Sequence, residues 1–281
     1  AAVAAGLRAI VIVPEGKIAG GKLAQTIAHG ALVVQVQGDF DDALTLLRRI
    51  SEDYERHHVY LVNSVNPFRI EGQKTIVIEL LEQLGWRIPD VIALPGGNLG
   101  NTAAFGKAIF DLHQAGIIDR APQLATMQAA GAAPFADYFA SGFDHYEPVK
   151  AETIATAIKI GNPASMERAR RAIEQTGGLV ARVTDDEIMA AKAQIDRAGI
   201  GCEPASAASL AGVKKLVQEG KIAPDATVVG VLTGHVLKDA DAVVNYHLQD
   251  VDGEPNPGAN RPIVIPNSLD AFEAVLSGNA V

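Results

Sequence analysis

Three stretches of this chain carry residues whose types and spacing could do chemistry. "PGGNLGN", residues 95–101, sets three glycines and two asparagines between an apolar run, Val91–Leu94, and a segment of helical periodicity. A loop running from a buried strand into a helix offers unpaired N–H groups and a partial positive charge, which suits an anion such as phosphate. The spacing matches neither a nucleotide-triphosphate loop nor a proper dinucleotide fingerprint, so a glycine-rich turn that binds nothing stays open beside the anion site. "NSVNPFRIEGQKT", residues 63–75, follows the apolar run Val59–Val62 and brings Asn63, Ser64, Asn66, Arg69 and Lys74 to the end of an expected strand. Open α/β sheets place ligands at the carboxyl ends of strands, and an arginine there can hold phosphate or carboxylate bidentately. On spacing alone an Asn-Pro helix cap with surface charges reads equally well.

The third stretch is "LTGHVLKD", residues 232–239. Thr233 sits where an apolar strand meets a glycine turn. His235 invites a general-base role, although a lone histidine in a turn more often does structural duty or faces solvent. Glu203, in "CEPASAAS", reads as a loop brace or as a ligand contact. Cys202 is the one cysteine, and no His/Asp constellation surrounds it, which argues against a nucleophile.

The elements that must position these residues alternate along the chain. "LRAIVIVPEG", "ALVVQVQG", "VYLVNSV", "DVIALPGG", "PQLATMQAAGAAP" and "ATVVGVLTGH" read as strands. "KIAGGKLAQTIAHG", "DFDDALTLLRRISEDY", "GQKTIVIELLEQLG", "TAAFGKAIFDLHQAG" and "PASAASLAGVKKLVQEG" read as helices. "TDDEIMAAKAQIDRAG" is a helix opening with a capping box, Thr184 to Glu187. Such alternation implies parallel strands joined by right-handed crossovers. Phe135–Pro148, rich in aromatics and holding His145, reads as a surface excursion, and the Pro-, Gly- and Asn-rich stretch from Ala240 onward as loop. Ala1–Ala5 reads as the last turns of an Ala-rich helix closed by Gly6, so further sequence is expected upstream.

Composition bounds the rest. At 281 residues the chain can bury a large core as one domain or two, without help from disulfides. A net charge of −9 argues against a general nucleic-acid or anionic-membrane surface, while leaving room for a small phosphorylated ligand at a local site. No membrane-spanning run and no signal peptide are visible, and the single cysteine fits a reducing compartment; a cytoplasmic protein is expected.

Taken together, the motifs "VPEGKIAGGKLAQTIAHGA", "LVNSVNPFRIEGQKT", "ALPGGNLGNTAAFGK", "MQAAGAAP", "TIATAIKIGNPAS", "CEPASAAS" and "LTGHVLKD" resemble those of the threonine synthases, in the tryptophan-synthase-β-like group of pyridoxal-phosphate enzymes. The resemblance runs in order from about Ala5 to Asp239, and "NSVNPFRIEGQKT" is its most specific part. It implies two three-layer α/β domains with largely parallel sheets and the cofactor between them (fold type II): residues 1–65 in the smaller domain, 66–240 in the larger domain with the phosphate loop, and 241–281 a C-terminal tail. It implies pyridoxal 5'-phosphate, its phosphate on Gly97, Asn98, Leu99, Gly100 and Asn101 and its pyridine nitrogen on Thr233. The implied substrate is O-phospho-L-homoserine, its phosphate held by Asn63, Ser64 and Arg69 and exchanged for water to give threonine. A homodimer is also implied.

The chain departs from the family in one serious respect. Neither the Ser-Phe-Lys-Asp-Arg-Gly motif of the Schiff-base lysine nor the Ser-Thr-Gly-Asn motif under the ring occurs in it. Both are expected upstream of residue 1, since Lys17, Lys22 and Lys74 fall in other family segments. Two alternatives follow: a sister lyase of the threonine dehydratase or cysteine synthase type, against which Arg69 argues, or a noncatalytic module that binds pyridoxal phosphate or a phosphoester.

Overall fold

Val3–Ala5 make a single 3-10 turn that Gly6 closes in the left-handed region, φ 75°. From there a computed structural model describes residues 2–16, 20–38, 40–62 and 66–278. Strand β1 (Ile10–Pro14), helix α1 (Gly20–Ala28) and strand β2 (Leu32–Val36) form a parallel unit in the register Ile10 opposite Leu32 through Pro14 opposite Val36. Helix α2 (Phe40–Glu52) carries Asp41 and Asp42 in its first turn and Arg49 in its last, matching the helix dipole. Short helix α3 (Tyr54–His57) is capped by the Asp53 carboxylate, which accepts the Arg56 N–H at 3.2 Å.

Val59–Val62, expected as a strand, forms no ladder. Tyr60 and Val62 are 61% and 71% exposed, and no strand among the described residues lies beside them. β-propensity expresses packing against neighbours, so an apolar run without a partner has nothing to turn it into a strand. Helix α4 (Pro67–Gln73) then starts cleanly. Asn66 accepts the Phe68 N–H at 2.9 Å and donates its amide to the Leu61 carbonyl at 2.9 Å, while Pro67 occupies the first turn, where no N–H is missed. Lys74 separates it from helix α5 (Thr75–Gln83).

The second sheet is built from β3 (Val91–Pro95), α6 (Gly100–Gln114), β4 (Gln123–Ala129), α7 (Pro134–Ala140), α8 (Met166–Thr176), β5 (Leu179–Val183), α9 (Asp185–Arg197), α10 (Pro204–Gln218) and β6 (Val228–Gly230). Its four strands run in the order β5-β4-β3-β6, all parallel, with Val91 opposite both Gln123 and Val228. Every residue of β3 is buried, as an inner strand covered on both faces requires. One face packs on Phe105, Ile109 and Ile173 from α6 and α8; the other packs on Ile188, Ala207 and Ala208 from α9 and α10. Small residues set these close approaches. A Cβ on Gly106 would lie 2.1 Å from the Ala172 Cβ, and one on Gly212 would lie 2.1 Å from the Met127 sulfur. The Thr184–Glu187 capping box is present in full at the start of α9.

Two further segments differ from expectation. Phe135–Pro148 is not simply a surface excursion, because α7 seats Phe135 in the core. The Phe135 and Ala136 N–H groups donate to the buried Gln128 side chain at 2.8 and 3.0 Å. The region after Asp239 is not all loop: it holds α11 (Ala240–Leu248), the hairpin β7 (Asp250–Val251) and β8 (Glu254–Pro255), and α12 (Leu269–Leu276). Among the described residues no helix is long and apolar enough to cross a membrane, and no group of three or more His, Cys, Asp or Glu residues could hold a metal.

Candidate active site

The loop after β3 is pinned at its start. The Gly96 N–H donates to the Met127 carbonyl at 2.7 Å, and the Gln128 amide donates to the Gly96 carbonyl at 3.2 Å. A Cβ on Gly96 would sit 2.5 Å from Thr126 Cγ2, and one on Gly97 would sit 3.1 Å from both the Ala157 carbonyl oxygen and Ile158 Cα. These two glycines therefore answer to packing within the protein. Gly100 is different: its nearest neighbour would be Gln73 Oε1 at 3.9 Å, across open space.

Leu99 adopts φ 62° and ψ 12°, a left-handed conformation unusual for a branched residue, and its side chain is buried. A left-handed residue directly before a right-handed helix turns successive N–H groups toward one point and makes an anion-binding concavity. The donors are there to be used. Among the described residues no protein group accepts from the N–H of Gly97, Leu99, Gly100 or Asn101, and α6 has no side-chain cap. The first paired donor is Ala103, to the Leu99 carbonyl at 3.0 Å. Asn98 is a clamp: its Oδ1 accepts the Ala164 N–H at 2.7 Å and its carbonyl accepts the Ser165 N–H at 3.2 Å. Beside that junction the Ser165 hydroxyl is buried without a hydrogen-bond partner among the described residues.

A cavity of about 260 Å³ opens over the loop. Residues 97–101 line it, with Arg69 and Gln73 from α4, the Ala157–Ile158 segment, Ala205, and Thr233 beyond the end of β6. The volume lies near the lower end of the roughly 300–1,000 Å³ usual for ligand pockets. Arg69, the loop and Thr233 thus meet around one space, although 164 residues separate the first from the last (233 − 69). Asn63 and Ser64 lie outside the described residues. Burial pushes the Arg69 guanidinium below its usual pKa, yet that starting value is high enough to keep it cationic at neutral pH.

Lys74 does not join Arg69. Five residues on, it points about 140° round the helix axis and pairs with Glu71 at 2.8 Å and Asp111 at 2.9 Å, whose hydrogen bonds raise its pKa. Gln73, four residues after Arg69, takes that place on the cavity wall, and the i,i+4 spacing would have found it. His235 is exposed and its Nδ1 accepts the Leu237 N–H at 3.1 Å, so it caps a 3-10 turn and is not set up as a base. Cys202 is wholly buried, which pushes its thiol to about 11 and leaves it unreactive.

Thr233 is held from behind. Its Oγ1 lies 3.2 Å from the Ser206 Oγ, and the next N–H, of Gly234, donates to that same Ser206 oxygen at 2.9 Å. The Gly234 carbonyl accepts the Glu203 N–H at 3.0 Å, and the Glu203 carboxylate pairs with Lys22 of α1 at 2.7 Å. Glu203 is therefore the loop brace of the two roles open to it. Nothing in the sequence around Ser206 marks it as a partner of Thr233.

This donor set fits a ligand with a phosphate at one end and a hydrogen-bonding heteroatom at the other. Residues 1–234 match the family model described as pyridoxal-phosphate dependent enzyme. The chain is 44% identical to a threonine synthase of Methanosarcina acetivorans over 98% of its own length, of which it spans 65%. It is 43% identical to a threonine synthase of Halalkalibacterium halodurans, covering 95% of this chain and 70% of that protein. Among solved structures, the threonine synthase of Escherichia coli superposes with a TM-score of 0.70 at 18% identity, over 97% of this chain and 64% of that one, a likeness of fold. The chain belongs to the pyridoxal-phosphate dependent enzyme family, on its threonine synthase branch. It spans less than two thirds of the length of the Methanosarcina relative.

Among the described residues no lysine lines the cavity. The residues present fit the phosphate and the ring nitrogen of pyridoxal phosphate, and none of them is assigned as its covalent partner.

Proposed function

We propose that the full-length protein is a threonine synthase, converting O-phospho-L-homoserine and water into L-threonine and inorganic phosphate. The observation that carries this reading is the meeting, around one cavity, of Arg69 with the N–H groups of Gly97, Leu99, Gly100 and Asn101, which are unpaired among the described residues. A site with two separate anion receptors suits a phosphorylated cofactor together with a phosphorylated substrate.

In this reading the backbone N–H groups of residues 97–101 hold the cofactor phosphate and the Thr233 hydroxyl meets the pyridine nitrogen. Asn63, Ser64 and Arg69 hold the substrate phosphate. Bound pyridoxal phosphate supplies the electron sink that lets carbon-bound protons leave and the γ-phosphate depart. Arg69 orients the γ-phosphate and stabilises charge on it as the carbon–oxygen bond breaks, through charge-assisted hydrogen bonds. The hydroxyl of water ends on Cβ; of the two protons released, one from Cβ and one from water, one ends on Cγ and the other on the departing phosphate, so atoms balance. A threonine dehydratase or cysteine synthase has no γ-phosphate for Arg69 to hold. Residues 66–240 are taken as the larger domain and residues 1–65 as part of a smaller one, which the separate β1-β2 pair supports. The protein is also taken to be a cytoplasmic homodimer; exposed Phe68 and Phe110, on the packed helices α4 and α6, offer apolar surface of the kind such contacts bury.

The test is product identity. Full-length protein loaded with pyridoxal phosphate should release phosphate and threonine from O-phospho-L-homoserine in equal amounts. Ammonia and a 2-oxo acid from serine or threonine, with no phosphate release, would point to a dehydratase.

A further inference from the structure

Thr233 lines the cavity, and among the described residues its hydroxyl has a single protein partner, Ser206, which has little freedom of its own. The Ser206 Oγ is wholly buried and already accepts the Gly234 N–H at 2.9 Å. Among the described residues its one hydrogen has two acceptors in reach: Thr233 Oγ1 at 3.2 Å and the Gly234 carbonyl at 3.5 Å. The carbonyl is farther, at the limit of a hydrogen bond, and it already accepts the Glu203 N–H at 3.0 Å. The Ser206 backbone is fixed as well, since its carbonyl accepts the Ser209 hydroxyl at 2.7 Å and its N–H donates to the Glu203 carbonyl at 3.0 Å.

We propose that Ser206 is a positioning residue that donates to Thr233 Oγ1 and thereby commits the Thr233 hydroxyl to donate into the cavity. A hydroxyl has one hydrogen. Once Thr233 Oγ1 accepts from Ser206, its own hydrogen is the one left to face a ligand. Were Thr233 to donate to Ser206 instead, it would offer the ligand lone pairs only, and would then favour a protonated ring. The pair therefore selects an aromatic nitrogen that is a bare acceptor and disfavours a pyridinium, which would bring a second donor to the same point. This inference rests on the assignment of Thr233 to the ring nitrogen and adds the residue that sets the direction of that hydrogen bond.

The experiment is the 15N resonance of ring-labelled pyridoxal phosphate bound to the full-length protein, followed across pH in wild type, Ser206→Ala, Thr233→Val and the double variant. Wild type should stay in the unprotonated pyridine range near neutral pH. Ser206→Ala should move the resonance toward the protonated range and raise the pH at which it titrates, by at least half a unit. On the Thr233→Val background, Ser206→Ala should add nothing further. Ser206→Cys, which fills the volume with a weak donor, should shift in the same direction and covers the case in which the alanine variant does not fold. Ser206→Thr keeps the hydroxyl and should restore the wild-type value. A Ser206→Ala resonance identical to wild type while Thr233→Val shifts would overturn the role of Ser206 alone. An unshifted Thr233→Val would overturn the assignment of Thr233, and this inference with it.

Discussion

Lys22 and Glu203 form an ion pair at 2.7 Å that ties α1 to the start of α10, directly beside the Gly234 turn. The Glu203 side chain is almost fully buried and the Lys22 side chain about a quarter exposed (6% and 26%). The pair thus links the β1-β2 unit to the backbone that presents Thr233.

Removing the lysine should strand a carboxylate in a dry place. Lys22→Met is expected to lower unfolding stability by about 1–3 kcal/mol, less than for a fully buried pair because Lys22 keeps some solvent. The midpoint of urea unfolding checks this. The fully matched change, Lys22→Met with Glu203→Leu, should recover at least half of the loss, since no buried charge is then left alone.

Gly106 and Gly100 should separate packing from binding on one helix. Gly106→Ala puts a methyl 2.1 Å from the Ala172 Cβ, so α6 and α8 must part, at a cost of about 1–3 kcal/mol read from the unfolding midpoint. Gly100→Ala meets nothing nearer than 3.9 Å and should leave stability within about 0.5 kcal/mol. Because Gly100 lines the cavity, its variant should nevertheless weaken pyridoxal-phosphate binding at least tenfold, measured by fluorescence titration of the full-length protein.

Cys202 should make stability fall in alkali. Burial raises its folded-state pKa to about 11, above the unfolded value near 9. Between these values the unfolded chain has lost the thiol proton and the folded one has kept it, so the unfolded state is favoured as pH rises. The contribution is fully present below pH 9 and declines by about 1.4 kcal/mol per pH unit until pH 11. The difference between wild type and Cys202→Ala in unfolding free energy, plotted from pH 8 to 11, should show that slope.

The strand-loop-helix around residues 91–114 was legible because all its signals are local: a continuous apolar run, a glycine cluster, then helical spacing. The same holds for the Thr184–Glu187 capping box. Val59–Val62 misled for the converse reason, since a ladder needs a partner that local sequence does not name. Arg69 and Lys74 looked like a pair because sequence distance hides helical phase; Glu71 and Asp111, the latter on α6, take the lysine away. Glu203 and Ser206 could not be ranked from sequence at all. Their importance comes from contacts with Gly234 and Thr233, nearly thirty residues on and brought close only by the sheet.

In the proposed function, one cavity holds two phosphates on different receptors, the cofactor's on residues 97–101 and the substrate's on Arg69. The direct measurement is the effect of Arg69→Ala in full-length protein on the KM for O-phospho-L-homoserine and on the Kd for pyridoxal phosphate, taken side by side. Loss of a charge-assisted bidentate contact is worth about 2–3 kcal/mol, so KM should rise about 30- to 150-fold while Kd stays within twofold. A KM equal to that of wild type, or a Kd that rises as steeply as KM, would contradict it.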